Sequence, residues 1–187
     1  MSFAAQLPPS PVSAAFLKIQ WAPLDKLRLT REEENLLHSA EVNPIDYTLS
    51  DANHASAYVR VLLKVLGESS GPSGPSKSVS KLKSQLPDDE AAQMLHIDPI
   101  GVALHYSVAK LHEVLACVRE RKKGATVAST FYGEKDGRLI DGWRALLRIL
   151  HLGGGGDAFA QRGAALCLAQ ILSGGGPPPR AGFSTAR

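Results

Sequence analysis

Apolar residues recur at helical spacing along most of this chain, and this periodicity limits the folds that it can adopt. Between Asp98 and Gly124, an apolar residue follows every three or four positions, which places these residues on one face of a helix. They are Ile100, Leu104, Val108, Leu111, Leu115 and Val118. No segment alternates convincingly between apolar and polar residues, and the apolar stretch 124–132 has no second strand to pair with, so we expect helix or loop there. The pattern predicts an all-α protein.

Capping residues indicate where the predicted helices begin and end. Thr30 and Glu33 have the spacing of a capping box, in which each side chain accepts a hydrogen bond from the other residue's backbone amide. A helix over about 31–40 should follow. The Ser-Asp pair that ends at Asp51 begins a second helix, and Gly67 should end it. That helix is apolar on two faces, and its main stripe consists of Tyr58, Val61, Leu62, Val65 and Leu66.

Two further helices flank the four consecutive glycines 153–156. The first covers 140–150 and carries on one face Ile140, Trp143, Leu146, Leu147 and Leu150. Asp157 caps the second, which ends before Gly174 and carries on one face Ala164, Leu168, Ile171 and Leu172. A helical pair of this size is typical of α-solenoid repeats. We therefore predict an α-solenoid of antiparallel helical hairpins.

Three stretches rich in Gly, Pro and Ser divide the chain. Segments of this composition bury too little apolar surface to offset the entropy lost on ordering. We expect residues 1–11 to form a disordered N-terminus and 174–187 a disordered tail. Residues 12–173 should form one helical-repeat domain, interrupted by a flexible insertion at 67–87.

Composition excludes several classes of protein. With 44% apolar residues the chain is not disordered as a whole, and 21 basic against 18 acidic residues leave a net charge of only +3. That charge is spread along the sequence, which argues against nucleic-acid binding. Cys117 and Cys167 provide neither a disulfide framework nor a zinc site. Since the sequence also lacks a secretory signal and an apolar run of about 18 residues, we expect a soluble cytosolic protein.

Patterns that would indicate catalysis or ligand binding are weak throughout. The glycines 153–156 lack the preceding strand and the following Lys of phosphate-binding loops. His105 and His112 share a helix face two turns, or about 10 Å, apart, which is too far for one metal ion. We expect both at polar or half-buried positions. The acidic triplets 32–34 and 88–90 stand where helices begin, and there negative charge is favourable without any catalytic role. We predict no enzyme activity, metal or cofactor.

One basic run is a candidate for binding a partner. It contains Arg119, Arg121, Lys122 and Lys123, at the end of a predicted helix. These side chains either form a solvated last turn that the helix dipole favours, or they dock on an acidic protein surface. In the second case the charges would speed encounter more than they would tighten binding.

Four segments carry, in order, residue patterns of one protein family. The first three are 19–37, 57–61 and 109–131, which include an Ile-Gln-Trp start and an Ala-Tyr-Val-Arg-Val run. In the fourth, the helix 143–150 leads into Phe159-Ala160-Gln161-Arg162 and the helix 165–173. Together these patterns resemble the N-terminal domain of the regulatory H subunit of V-type proton ATPases (V-ATPases).

This resemblance implies a non-catalytic protein that is built of armadillo/HEAT-like helices and holds no cofactor. Its partners would be the E and G subunits of the peripheral stalk and the V1 head, in support of ATP-driven proton transport. It would be cytoplasmic, on the cytosolic face of vacuolar and other endomembranes, and would reach the membrane only through the complex. The family's second domain is associated with silencing of free V1 and with the a subunit of the membrane sector. Because this sequence ends in a Gly/Pro tail instead, the resemblance carries neither role over.

The alternative interpretation is an unrelated α-solenoid adaptor. Such a protein grips a peptide or a helix on its concave surface and needs no active site. Both interpretations describe a protein that acts by binding other proteins.

Overall fold

The computed structural model describes residues 7–10, 16, 19–20, 27–42, 51–69, 99–120, 132–135, 138–151 and 157–173. Within these ranges there are five helices and one β-hairpin. In chain order they are α1 (Arg31–Val42), α2 (Ala52–Ser69), α3 (Pro99–Glu120), β1 (Tyr132–Lys135), β2 (Arg138–Asp141), α4 (Gly142–His151) and α5 (Ala158–Ser173). The predicted helical class is confirmed. The tail 174–187, the glycines 153–156 and most of the insertion 67–87 lie outside the described residues.

The start of α1 is the predicted capping box. The backbone amide of Thr30 donates to Oε2 of Glu33 at 2.8 Å, and the amide of Glu33 donates to Oγ1 of Thr30 at 3.2 Å. The same Glu33 oxygen also accepts a hydrogen bond from Nζ of Lys64 at 2.5 Å. Glu33 therefore caps α1 and ties it to α2.

Aspartates cap three of the other helices. Asp51, Asp141 and Asp157 each accept a hydrogen bond from the backbone amide three residues later, at 2.8, 2.9 and 3.0 Å. These bonds satisfy amides that have no partner within the first helical turn. The predicted caps at Asp51 and Asp157 are confirmed, as is the predicted start of α3 at Pro99.

Gly67 does not end α2, which continues to Ser69. A glycine inside a helix costs about 1 kcal/mol relative to alanine, and that cost is easily offset by packing. Val65 and Leu66 are fully buried directly before it, and Ser69 is fully buried after it. Burial of this last turn, rather than local propensity, decides where the helix ends.

A short β-hairpin departs from our expectation that the chain contains no strands. Strands β1 and β2 pair antiparallel, with Tyr132 opposite Asp141 and Lys135 opposite Arg138. Ile140, which we assigned to the apolar face of a helix, lies in β2 opposite Gly133. Helix α4 begins only at Gly142, directly after its Asp141 cap.

Helices α2, α3, α4 and α5 pack so that each contacts two of the others. Helix α2 packs on α3 and α4, while α5 packs on the same two helices from the other side. Helices α3 and α5 run parallel, because His105 pairs with Asp157 and, further along both helices, His112 pairs with Gln170. Consecutive helices α3 and α4 are not among the closely packed pairs of the described ranges. Helix α1 packs on α2.

The core consists of the predicted apolar stripes. All five stripe residues of α2 are buried, as are the first five of the six predicted on α3; the side chain of Val118 lies outside the described residues. Trp143 is 4% exposed, and it joins Leu146 and Ile149 in the core. Three residues of the predicted stripes lie outside the core: Leu147 and Leu150 of α4 are half-buried, and Leu172 of α5 is 61% exposed. No described helix is long and apolar enough to span a bilayer.

Candidate functional site

His105 is the centre of the most elaborate polar cluster in the described residues. Its side chain lies in α3 and is fully buried. Its Nε2 atom contacts the carboxylate of Asp157, and its Nδ1 atom lies 2.8 Å from the hydroxyl of Ser10. The ring of Phe159 stacks on the imidazole with 4.6 Å between ring centroids. The cluster therefore joins residues that are far apart in sequence. We predicted a polar or half-buried position for His105, and this was wrong.

The partners of His105 determine where its protons lie. A carboxylate can only accept, so Nε2 carries a hydrogen and donates it to Asp157. Nδ1 then accepts from the hydroxyl of Ser10 when the imidazole is neutral, and donates to the same oxygen when it is charged. A hydroxyl can turn to do either, so Ser10 satisfies His105 in both protonation states.

Asp157 is held in its ionised form by the same contacts. Burial by itself would raise the pKa of its carboxyl, since a charged group loses solvation. The hydrogen bond and the charge of His105, together with the backbone amides of Ala160 and Phe159, outweigh burial and lower the pKa below its ordinary value. One carboxylate thus caps α5 and pairs with α3.

Residues 7–10 lie against this cluster, although we assigned 1–11 to a disordered N-terminus. Leu7 is half-buried and Ser10 is 6% exposed, whereas Pro8 and Pro9 between them are exposed. A Cβ atom on Gly163 of α5 would stand 3.5 Å from Cδ2 of Leu7. Leu7 therefore approaches α5, while Ser10 approaches α3.

Gly163 is required for the close packing of α3 and α5. A Cβ atom at this position would overlap Cγ1 of Val108. One turn further on, the thiol of Cys167 is fully buried between the same helices. Burial raises the pKa of this thiol, so it stays protonated and acts as a small apolar group.

The residue types Ser, His and Asp are those of a nucleophile, its base and an orienting acid. In this cluster the serine hydroxyl is covered, because Ser10 is 6% exposed and His105 is not exposed at all. A substrate carbonyl therefore has no approach to the hydroxyl while residues 7–10 stay in place. The geometry suits a contact that holds chain segments together.

The second predicted histidine forms an ordinary side-chain contact. His112 is half-buried, as expected, and its Nε2 atom lies 3.2 Å from Nε2 of Gln170. No group of three or more His, Cys, Asp or Glu side chains in the described part of the chain could hold a metal ion.

Only the start of the predicted basic run falls within the described residues. The backbone of Arg119 belongs to the last turn of α3, but its side chain lies outside the described part of the chain. Arg121, Lys122 and Lys123 lie outside it entirely. The partner-binding role of these four residues stays a prediction.

The Ser10–His105–Asp157 cluster was missed because its members come from three separate segments. Asp157 was recognised only as a cap, and Ser10 was assigned to a disordered stretch. One local signal was present, since a histidine within an apolar helix needs a polar partner once it is buried.

Comparison with protein-family models, curated protein sequences and solved structures finds no match for this chain.

Proposed function

We propose that this chain is a non-catalytic helical scaffold of the V1 sector of a vacuolar-type proton ATPase, similar to the N-terminal part of the regulatory H subunit. It would dock on the E and G subunits of the peripheral stalk and on the V1 head, and so support ATP-driven proton transport. It would be held at the cytosolic face of vacuolar and other endomembranes through the complex. The observation that carries the scaffold proposal is the parallel packing of α3 on α5.

This packing favours a solenoid over a simple bundle. In an up-down four-helix bundle with short connections, consecutive helices are neighbours, so α3 would pack on α4. Here α2 packs on α4 and α3 packs on α5, while α2–α3 and α4–α5 form the other two contacts. Two stacked helical hairpins produce this set of contacts, with equivalent helices of the two hairpins side by side.

The residues that carry the family resemblance support the same fold. Tyr58 in the second segment and Trp143, Cys167 and Ile171 in the fourth are all buried. In solenoids such core positions build the stack, whereas partners bind the outer surfaces. The scaffold proposal therefore rests on the core, and the stalk proposal rests on the resemblance.

Binding of the purified chain to the E–G stalk heterodimer tests the proposal. We expect saturable binding by isothermal titration calorimetry that persists at moderate salt. A variant in which Arg119, Arg121, Lys122 and Lys123 are all replaced by Gln should bind more slowly and lose most of its salt dependence. Its matched control is Arg162→Gln, which removes one exposed cation from α5.

Failure to bind by a chain that is helical by circular dichroism would contradict the stalk proposal. The general adaptor would then be favoured. If the quadruple variant and the Arg162→Gln control bind equally well, the basic run is not part of the interface. The rest of the proposal would be unaffected.

A further inference from the structure

We propose that the surface between α3 and α5 is a recognition site for an extended Leu-Pro-Pro-Ser segment of a partner protein, and that residues 7–10 occupy this site in cis. We call it the α3–α5 surface and define it by His105, Val108, Asp157, Phe159 and Gly163. The inference does not rest on docking to the ATPase stalk.

Burial along residues 7–10 follows the three-residue spacing expected of a proline-rich segment that lies with one side on a protein surface. Leu7 and Ser10 face the helices, and Pro8 and Pro9 between them face solvent. A polyproline II segment has three residues per turn, so positions three apart share one side. Such segments are common protein ligands because proline orders them before they bind, and aromatic side chains often line their sites. The aromatic ring of Phe159 stacks on His105, the residue that contacts Ser10.

The polar half of the site persists without residues 7–10. Asp157 is attached to α5 and His105 to α3, so their pair does not depend on the N-terminal segment. Removal of Ser10 would leave Nδ1 of a fully buried imidazole without this partner, directed at the vacated position. Burying a polar atom without a hydrogen bond is costly, and an incoming hydroxyl would relieve that cost.

The apolar half of the site determines how far the ligand's apolar residue must lie from its hydroxyl. Val108 of α3 fills the space beside Gly163 of α5, and Leu7 packs next to this contact, with its Cδ2 atom 3.5 Å from the position that a Cβ atom on Gly163 would take. A ligand must therefore place an apolar side chain at Gly163 and a hydroxyl at His105 at once, which requires the Leu-x-x-Ser spacing. Because a buried polar atom without a hydrogen bond is costly, Nδ1 of His105 discriminates against ligands that carry no hydroxyl at this position.

Because residues 7–10 occupy the site, a partner's segment should bind there only when they leave it. A tethered ligand has an effective concentration in the millimolar range, so a free peptide of equal affinity competes poorly with it. Weakening the tethered segment should open the site to a ligand supplied in trans. The N-terminal segment then acts as an autoinhibitory occupant.

The test uses the full-length chain and a fluorescent peptide of residues 5–12, Ala-Gln-Leu-Pro-Pro-Ser-Pro-Val. We expect the Leu7→Ala/Ser10→Ala double variant to bind this peptide at least 10-fold more tightly than the wild-type chain does, by fluorescence anisotropy, because its own segment competes less well. The matched control is the Pro8→Ala/Pro9→Ala chain, whose replaced residues face solvent. A peptide with Ala at both the Leu and the Ser position should not bind.

Three results would overturn the proposal for a double variant that is folded by circular dichroism. They are no binding up to millimolar peptide, equal binding of both peptides, and equal binding by the variant and the wild-type chain. If the double variant does not fold, the wild-type chain is titrated with excess peptide and followed by NMR. The imidazole signals of His105 and the ring signals of Phe159 must then shift, and unchanged signals would reject the site.

Discussion

Among single residues, Asp157 makes two different stabilising contacts with one side chain. Its Oδ1 atom accepts from the backbone amide of Ala160 and so caps α5, while Oδ2 contacts His105 of α3. The first role is local and the second joins two helices. Replacing the carboxylate by an amide separates the two roles, because Asn is as good a helix cap as Asp.

We expect Asp157→Asn to lower the free energy of unfolding by about 1.5–3 kcal/mol near pH 6, the range for hydrogen bonds to charged groups. The pKa of Asp157 is lowered in the folded chain, so its contribution is complete above the ordinary pKa of Asp, about 3.9, and is lost as the pH falls through the folded value. The difference between wild type and variant should therefore shrink between pH 6 and pH 3. Urea denaturation across this range measures it, and a difference independent of pH would contradict the role of the ionised Asp157 carboxylate.

Ser10 offers a second test at this scale. Ser10→Ala removes the hydroxyl that partners Nδ1 of His105, so a buried polar atom loses its hydrogen bond. We expect a loss of about 1–3 kcal/mol in the free energy of unfolding. Pro9→Ala, in the exposed neighbouring position, should change it by less than about 1 kcal/mol. Equal effects of the two substitutions in urea denaturation would show that the Ser10 contact adds nothing.

At the scale of elements, the glycines of α2 and α5 have opposite roles. Gly163 allows α3 and α5 to touch, since a Cβ atom there would overlap Val108. Gly67 in α2 has nothing within 4 Å of the corresponding position. Both lie in helices, so helix propensity alone would favour alanine equally at the two sites.

We therefore expect Gly163→Ala to destabilise the protein by about 1–3 kcal/mol, as overpacked cores do. Gly67→Ala should stabilise it by about 0.5–1 kcal/mol, because alanine loses less backbone entropy in a helix. Thermal denaturation of the two variants side by side distinguishes packing from propensity. A gain in stability for both would mean that α3 and α5 do not touch at Gly163.

The β-hairpin of β1 and β2 forms where apolar spacing predicted a helix. Asp136-Gly137 is a typical two-residue hairpin signal that the sequence analysis did not use, and the apolar spacing of Ile140 with Trp143 led us to assign both residues to one helix. The Asp141 cap ends that ambiguity, because it starts α4 after β2. A four-residue strand is too short for alternation of apolar and polar residues to be informative.

At the scale of the whole molecule, the stacked helices depend on a few large core side chains. Trp143 of α4 is 4% exposed, and α4 packs on both α2 and α5. We expect Trp143→Ala to cost about 3–5 kcal/mol, which is a large part of the stability of a domain of this size. Leu172→Ala, at an exposed position of α5, should change the free energy of unfolding by less than about 0.5 kcal/mol.

Equilibrium unfolding by circular dichroism measures both variants. A loss below about 1 kcal/mol for Trp143→Ala would contradict its core position. A loss above about 2 kcal/mol for Leu172→Ala would mean that the outer face of α5 is covered in solution.

Local sequence patterns suffice to predict the helical class, four helix starts and most of the core. Capping and apolar periodicity act within a few residues, so the Thr30–Glu33 box, the Asp51 and Asp157 caps and the stripe of α3 can all be predicted locally. The end of α2, the burial of His105 and the placement of residues 7–10 depend instead on contacts between distant segments. His105 meets its partners across 95 and 52 residues of sequence, and no local pattern encodes which distant segments supply them. Burial of a polar side chain depends on the packing of whole helices, and that packing is settled only when the chain has folded.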